Sequence, residues 1–308
     1  MNKIISKRLI QCAILVVAGG LSYSVSAETA YQWNLANEGS PPCAAPDGSC
    51  SDGWDVSRTV EPSTATQPKV GVQGLYLEQK RTREWNKVNG RWYLGGWSNW
   101  NTGKLQSGLV NSWTGLGVAA STGTAWDDSP RHAVSNSGVT SGGYVSDTKY
   151  VTTEARHWEA VLFDFGEGNL VALDEISVAW DNGGDSDVAI LANIGSSGGS
   201  GVTLGSDDYA SLLSGGDWAV VSRINDVKDA AGDAKTFNTD HAIKSRYWMV
   251  AMANEQLGSD TSWGGYDDHA KINYIRGVAT AGAPGIPEPA TVLLMSLGLL
   301  GFRGLRRR

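Results

Sequence analysis

The middle of the chain consists of short apolar runs separated by turns rich in Gly, Asn, Asp and Ser. Apolar and polar residues alternate within several runs, so that Val161, Phe163 and Phe165 fall on one side of an extended chain. Such alternation is typical of strands with one buried face. The pattern therefore predicts strands over residues 70–78, 91–97, 116–120, 157–165, 171–180, 188–194, 218–224, 246–253 and 271–278.

Four turn residues, Gly166 to Asn169, separate two of these strands, so we predict a β-hairpin over residues 157–180. A helix is predicted over residues 207–213, with Ser206 as its N-cap. Because long helices do not alternate with the strands, the pattern favours an all-β fold over a doubly wound sheet. We expect an antiparallel β-sandwich, similar to a jelly roll, with this short helix as a connector.

The N-terminal segment has the three parts of a signal peptide. Basic residues precede an apolar run over residues 9–21, and small residues lead up to Ala27. The run is shorter than the ~20 apolar residues that span a bilayer, which favours cleavage over anchoring. We therefore predict a signal peptide over residues 1–27, which signal peptidase removes by cutting between Ala27 and Glu28.

At the C-terminal end, Pro287, Glu288 and Pro289 precede an uncharged stretch over residues 290–302. This stretch is expected to form a single membrane helix, whose side chains include Ala290, Leu293, Leu294, Leu297, Leu300 and Phe302. The basic residues that follow are expected to hold the helix end in the cytoplasm: Arg303, Arg306, Arg307 and Arg308. At ~1.5 Å per residue the helix covers about 20 Å of a ~30 Å hydrocarbon core, so we expect a temporary tether.

The order of these elements, a Pro-Glu-Pro motif, an apolar helix and an arginine cluster, resembles the PEP-CTERM sorting signal. The resemblance covers residues 284–308. It implies that an exosortase, an integral-membrane cysteine protease, recognises the tail and cuts near the motif. It also implies a precursor tethered to the inner membrane, a mature protein at the cell surface or outside the cell, and exopolysaccharide as a candidate partner.

Further landmarks between residues 126 and 278 resemble the exosortase-dependent surface protein family. They are Trp126-Asp127-Asp128 with His132 and Asn136, the segment 159–165, Trp180 with Asp185-Ser186-Asp187, Arg246-Tyr247-Trp248 and Tyr266-Asp267-Asp268. This second resemblance implies export, and it implies no particular biochemical activity.

The signals at the two ends divide the chain into four parts. We expect a signal peptide over residues 1–27, an N-terminal flap over 28–69, a β-sandwich over 70–283 and a sorting tail over 284–308. Cys43 and Cys50 lie in the flap, and an even pair in an exported protein predicts a disulfide. A metal-binding or redox pair is the alternative, but the two-residue spacing typical of such pairs is missing.

The charge of the expected mature region argues against nucleic acid as a partner. Residues 1–27 and 284–308 hold seven basic residues and one acidic residue, so 18 basic and 31 acidic residues remain, a net charge of −13. Proteins that bind backbone phosphates carry clusters of Lys and Arg instead.

Three patterns suggest an enzyme, but the sequence does not show the structural surroundings that each of them requires. Residues 195–199 match a nucleophile elbow, but no helix with an apolar face follows. The glycines of residues 115–117 are not followed by a βαβ unit. Paired aspartates at 127–128 and 267–268 have the chemistry of a glycosidase, yet sequence does not place them in one cleft. We therefore expect a non-enzymatic protein, with glycan hydrolysis as an alternative.

One loop has the chemistry of a calcium site. Asp181, Asn182, Asp185 and Asp187 place four oxygen-bearing side chains within seven residues, and hard oxygen ligands suit Ca²⁺. The alternative is a solvated turn, where Asp and Asn are common. We expect no other cofactor, and a calcium-dependent adhesin is one alternative function.

The chain has 13 tryptophans, five of which fall within residues 85–113. Exposed indoles at Trp92, Trp97 and Trp100 would stack on sugar rings, with nearby asparagines to bind hydroxyl groups. The alternative is a core rich in tryptophan. The sequence thus predicts an exported surface or matrix protein, with carbohydrate binding as the leading specific alternative.

Overall fold

The computed structural model describes residues 28–36, 57–64, 66–111, 116–119, 134–135, 138–181, 186–195, 202–228, 233–258 and 269–280. Within these residues the strands, in chain order, are β1 (Thr29–Asn34), β2 (Ser57–Val60), β3 (Val70–Val88), β4 (Arg91–Trp97), β5 (Asn101–Thr102), β6 (Gln106–Asn111), β7 (Gly117–Ala119), β8 (Val134–Ser135), β9 (Gly138–Ser146), β10 (Lys149–Asp164), β11 (Leu170–Asp181), β12 (Val188–Asn193), β13 (Trp218–Ile224), β14 (Ala234–Thr236), β15 (Tyr247–Met252) and β16 (His269–Thr280). One short helix, α1 (Tyr209–Ser214), lies between β12 and β13 in the described part of the chain.

The strands form two antiparallel sheets. The small sheet has the order β1-β16-β11-β14, and β8 also pairs with β16. The large sheet has the order β13-β12-β15-β10-β3-β6-β7, with β2, β4 and β5 on β3 and with β9 on β10. The prediction of an all-β antiparallel sandwich is therefore confirmed. The described part of residues 28–69 contributes β1 to the small sheet and β2 to the large one.

The main core lies between the two sheets. Strand alternation turns Phe163 of the large sheet and Ile176 of the small sheet inward, and both are fully buried. Trp33 of β1 closes the core, since its indole lies 4.9 Å from the ring of Phe165 and donates to the carbonyl of Pro68 at 2.8 Å.

A second core covers the outer face of the large sheet. Leu162 and Trp158 of β10 point to this side, where Tyr209 and Leu212 of α1 pack on them. The hydroxyl of Tyr209 donates to the carbonyl oxygen of Trp158 at 3.2 Å, and burial raises the pKa of Tyr209. The central strands are thus apolar on both faces, which explains the uninterrupted burial of β12.

The predicted helix forms, but its start differs from the prediction. Asp208, rather than Ser206, is the N-cap, and its carboxylate accepts a hydrogen bond from the backbone nitrogen of Ser211 at 2.7 Å. The hydroxyl of Ser211 in turn accepts from the backbone nitrogen of Asp208 at 2.8 Å. Because of this reciprocal capping box, the helix begins two residues later than predicted. The box gives hydrogen-bond partners to backbone groups that would lack them with a cap at Ser206.

The predicted hairpin over residues 157–180 is wrong. β10 belongs to the large sheet and β11 to the small sheet, so the turn at 166–169 carries the chain from one layer to the other. Gly166 and Gly168 both have φ near +80°, which permits this sharp reversal. Each strand buries an apolar face, and these faces pack on each other instead of lying side by side in one sheet.

Two strands extend far beyond their predicted ends. β3 was expected to end at residue 78 and continues to Val88, and β10 begins at Lys149 instead of residue 157. Together with β4, β5 and β9, these extensions form a part of the large sheet that we call the arm. It comprises residues 79–102 and 138–156. The extension of β3 was not predicted because residues 80–84 are charged, apart from Thr82, and therefore give the strand no apolar face.

Candidate ligand-binding face of the arm

One face of the arm carries a row of cations on β3. Alternation along the strand places Arg81, Arg83 and Lys87 on the same face, with Trp85 between the last two. Residues that are directly opposite in an antiparallel pair share a face. The pairings Arg83↔Trp97 and Lys87↔Trp92 therefore bring β4 tryptophans to this face.

Guanidinium groups and indole rings alternate along this face. The guanidinium carbon of Arg156 lies 4.1 Å from the ring centroid of Trp100, and that of Arg81 lies 4.5 Å from the same centroid. Arg81 also lies 4.7 Å from the centroid of Trp97, whose other neighbour is Arg83 at 4.5 Å. We call this arrangement the cation–aromatic stack.

The stack continues toward the tip of the arm. Arg83 lies 5.6 Å from the centroid of Trp85, and the ammonium of Lys87 lies 5.8 Å from that of Trp92. The indole nitrogen of Trp85 donates to the hydroxyl of Thr152 on β10 at 3.2 Å. Each cation–π contact at a partly exposed site stabilises the arm by ~0.5–1 kcal/mol, so the contacts together help to hold strands whose described residues belong to neither core.

The four tryptophans of the stack lie outside both cores. Trp92 is 38% exposed, and Trp85, Trp97 and Trp100 are partly exposed. The tryptophan-rich core expected as the alternative also exists, but other residues form it: Trp33, Trp158, Trp218 and Trp248. The three tryptophans predicted for sugar binding, Trp92, Trp97 and Trp100, are thus together on one face.

The carboxylate of Glu154 neutralises part of the stack. It accepts from Nε and Nη2 of Arg81 at 2.8 and 2.6 Å, and Arg156 lies 3.6 Å away. On the opposite face of the arm, two acids are paired with bases: Glu84 with Lys149 at 2.6 Å and Glu78 with Lys80 at 2.7 Å. The cation–aromatic stack is therefore the basic side of an arm on an otherwise acidic protein.

The tip of the arm also exposes large apolar side chains. They are Val88, Trp92, Tyr93, Leu94 and Val145, which are 53, 38, 55, 48 and 65% exposed. Tyr93 pairs with Asn86 and therefore lies on the face opposite the stack.

The arm lies at the opposite end of β10 from Thr29 and Thr280. Thr29 pairs with Ala279, and Thr280 pairs with Leu170 next to the turn that follows β10. β10 runs from the arm at Lys149 to this turn, and its 16 residues at ~3.3 Å each extend about 50 Å. The segments leading to the predicted signal cleavage site and to the sorting motif thus leave the same end of the small sheet.

Of the predicted cleavage site, Glu28 is described. Its carboxylate pairs with Lys244 and lies 3.6 Å from Nδ1 of His241. The hydrogen bond from Lys244 holds the pKa of Glu28 below its ordinary value. Ala27 lies outside the described residues.

The calcium loop is described in part. Asn182 and Asp185 lie outside the described residues, as does the side chain of Asp181. Asp187 is buried, and its carboxylate accepts a hydrogen bond from the backbone nitrogen of Asp226 at 2.8 Å. Calcium binding stays a prediction.

Other predicted sites also fall outside the described residues: Cys43, Cys50, Pro287, Glu288, Pro289 and residues 290–308. Among the helices that the structure describes, none is both long enough and apolar enough to cross a membrane.

Sequence reasoning missed the cations of the candidate site. Arg81, Arg83 and Lys87 recur with a period of two around Trp85, which is the signal of a strand with one basic, aromatic face. Arg156 carries no such signal, because its place depends on the pairing of β10 with β3, where it lies opposite Gln79.

The comparisons with known proteins identify a match in the C-terminal tail. Comparison with curated proteins and with solved structures gives no match. Residues 285–308 match the family model described as the PEP-CTERM protein-sorting motif. The chain therefore carries a PEP-CTERM sorting signal, which indicates export to the cell surface and implies processing by an exosortase.

Proposed function

We propose that the protein is a non-enzymatic component of the cell surface or extracellular matrix that binds a polysaccharide through its arm. The placement of Trp92, Trp97 and Trp100 on one partly exposed face carries this proposal. Indole rings offer apolar surface to the faces of sugar rings, and neighbouring donors bind their hydroxyl groups. Polysaccharides are long, so a row of rings along a strand matches an extended ligand.

The position of the arm supports this proposal. The sorting signal follows Thr280, and Thr280 lies at the end of β16 that pairs with Leu170, about 50 Å from the tip by the length of β10. A protein delivered by its tail would therefore hold the arm away from the membrane, in the layer where an exopolysaccharide lies.

A binding measurement tests the proposal. We expect the mature protein to bind exopolysaccharide from its source cells, immobilised on a sensor surface. Trp97→Ala and Trp100→Ala should each weaken binding about tenfold, because each removes an aromatic surface that contacts the ligand. Trp97→Phe and Trp100→Phe should restore part of the affinity, because they keep an aromatic face.

Tyr93→Ala is the matched control, since Tyr93 is an exposed aromatic residue on the other face of the arm. Its affinity should stay within about twofold of wild type, because no stacked ring is lost. Circular dichroism of every variant checks that the fold is intact. Equal losses in Tyr93→Ala and Trp97→Ala, or no binding by the wild type, would contradict polysaccharide binding at the stack.

We also propose a processing route with two cuts. Signal peptidase cuts after Ala27, and an exosortase releases the tail near residues 287–289 after the helix over 290–302 has tethered the precursor to the inner membrane. Intact-mass spectrometry of the native protein should give a chain that starts at Glu28 and ends near the motif. A mature chain that ends at Arg308 would contradict the second cut.

Substitutions around the motif test its recognition. Pro287→Ala and Pro289→Ala together should leave the precursor uncut, because the prolines keep the segment extended for the protease. Pro284→Ala, a proline just outside the matched residues, is the control and should be processed like the wild type.

A further inference from the structure

The charges of the cation–aromatic stack fall into two groups. Arg81 and Arg156 share the carboxylate of Glu154. Among the residues that the structure describes, neither Arg83 nor Lys87 has a carboxylate partner. The half of the stack nearer the tip therefore carries uncompensated positive charge beside Trp92 and Trp97.

The guanidinium of Arg83 is held in place with unused donors. The rings of Trp97 and Trp85 lie 4.5 and 5.6 Å from it, and its Nε is enclosed without a hydrogen-bond acceptor among the described residues. The side chain as a whole is partly exposed. The donors of a guanidinium lie in its plane, so rings that stack on its faces leave open the edge formed by its two Nη groups, while the enclosed Nε is out of reach of a ligand.

An anionic group fits this arrangement better than a neutral one. A guanidinium edge pairs with a carboxylate or sulfate through two parallel hydrogen bonds, which are about twice as strong as bonds between neutral groups. Because the indoles already position Arg83, little side-chain entropy is lost when an anion binds. A neutral sugar would leave the charge of Arg83 unpaired in a partly desolvated site.

The spacing of the two cations indicates a polymer with repeated charges. Arg83 and Lys87 are four residues apart on β3, a separation of about 13 Å along the strand. Tryptophan rings lie beside both, so charge and stacking surface alternate along the face. The net charge of the chain is −7, which disfavours polyanions over acidic parts of the surface and favours their binding at a basic face such as this one.

We infer that the ligand of the arm is an acidic polysaccharide, whose carboxylate or sulfate groups pair with Arg83 and Lys87 while its sugar rings pack on Trp92 and against the exposed edge of Trp97. This inference rests on the proposed polysaccharide binding and names its chemical class. Carboxylates and sulfates present the same paired oxygens to a guanidinium, so both kinds of acidic polymer fit.

Paired polymers of equal backbone test the charge requirement. The mature protein is titrated onto polygalacturonate and its carboxyl-reduced neutral form, and onto dextran sulfate and plain dextran. We expect at least one acidic polymer to bind about tenfold more tightly than its neutral counterpart at low salt. Raising the salt to ~0.5 M should remove most of the difference, because these charges are partly exposed.

Variants locate the charge contact. Arg83→Gln should weaken binding to the acidic polymer about tenfold, with a smaller loss in Lys87→Gln, which lacks the bidentate fork. Arg83→Lys should recover less than half of the loss in binding free energy for the same reason. Lys149→Gln removes one charge on the opposite face, where Lys149 pairs with Glu84, and should change the affinity less than about twofold.

The outcomes separate this inference from the proposed function. Equal binding of acidic and neutral polymers, lost in Trp97→Ala but not in Arg83→Gln, would overturn the inference and keep polysaccharide binding. No binding to any polysaccharide would overturn both. Single-stranded DNA that binds through Arg83 as tightly as the acidic polymers would also overturn the inference, because it would make the face a general polyanion site. If Arg83→Gln fails to fold, Lys87→Gln and the salt titration of the wild type still decide.

Discussion

Arg246 donates two hydrogen bonds to the carboxylate of Asp164, from Nε to Oδ1 at 2.7 Å and from Nη2 to Oδ2 at 2.9 Å. Asp164 is the last residue of β10, and its Oδ1 also accepts from the backbone nitrogen of Gly166 at 2.8 Å. The hydrogen bond to Asp164 raises the pKa of Arg246. One carboxylate thus joins β10 to the chain before β15 and fixes the turn that leads to the small sheet.

We therefore expect Asp164→Asn to destabilise the protein. The substitution keeps the shape of the side chain but faces the guanidinium with a neutral amide. Both partners are about a third exposed, so the free energy of unfolding should fall by only about 1 kcal/mol. Urea unfolding measures the change, and Glu255→Gln at an exposed glutamate is the control. Equal midpoints for the two variants would show that the pair does not stabilise the turn.

Trp33 should be among the residues of β1 that contribute most to stability. Trp33→Ala would leave a cavity beside Phe165 and remove the donor to Pro68, at a cost of ~3–5 kcal/mol. Trp33→Phe keeps much of the ring packing, so its cost should be smaller. Urea unfolding of both variants checks this, with Tyr93→Ala as an exposed control. A change below about 1 kcal/mol in Trp33→Ala would mean that β1 is not part of the core.

Gly277 should not tolerate a side chain. A Cβ at this position would collide with the carbonyl oxygen of Ala172 and lie 2.9 Å from the Cα of Leu173, both backbone atoms of the neighbouring strand. Gly277→Ala should therefore force β16 and β11 apart and lower the free energy of unfolding by ~1–3 kcal/mol.

Gly96→Ala is the matched control for this prediction, because a Cβ at Gly96 meets no atom within 4 Å. Thermal unfolding of the two variants gives the comparison. Similar melting temperatures would show that the small sheet tolerates more space between β11 and β16 than the structure has.

The helix cap should make stability depend on acidic pH. Burial raises the pKa of Asp208, but hydrogen bonds from Lys104 and Ser211 outweigh it, so the pKa lies below the ordinary 3.8. A carboxyl group whose pKa is lowered by folding stabilises the fold at pH values above its unfolded-state pKa. This contribution is lost as the pH falls through its folded-state pKa. Asp208→Asn should therefore be less stable than wild type near pH ~6, and the difference should shrink toward pH ~3.

Urea unfolding at several pH values tests this sign. Asp240→Asn, at an exposed aspartate, is the control, and its difference from wild type should not shrink in the same way. A gap between Asp208→Asn and wild type that widens toward acid would contradict the assignment.

The sequence was sufficient for strands whose apolar alternation is strong. The observed bounds of β4 and β13 equal the predicted ones, because aromatic and β-branched residues fill them and turn residues flank them. The sequence did not predict which strands pair with each other. Residues 157–165 and 171–180 have a hairpin pattern, yet they pack face to face, since both have an apolar face to bury and local sequence does not specify which strand pairs with which.

The sequence predicted the tryptophans of the candidate site but not its cations. Trp92, Trp97 and Trp100 were identified by their chemistry. Arg83 was missed because its contact with Trp97 depends on the pairing of β3 with β4, although its spacing from Trp85 could have indicated a basic, aromatic strand face. The extensions of β3 and β10 into the arm were missed because their residues belong to neither core and lack the apolar face on which strand prediction depends.

The pairing of Thr29 with Ala279 has a mechanical consequence. β16 lies between β1 and β11 and ends at Thr280, on the side of the molecule opposite the arm. In the uncut precursor, a pull between the arm and a membrane attachment after Thr280 would be transmitted along β10 and β16. Because hydrogen bonds in an antiparallel sheet are perpendicular to the strands, this load would shear all the bonds of β16 at once instead of opening them one after another. The strand order is thus one in which a load between the arm and Thr280 is resisted in shear by β16.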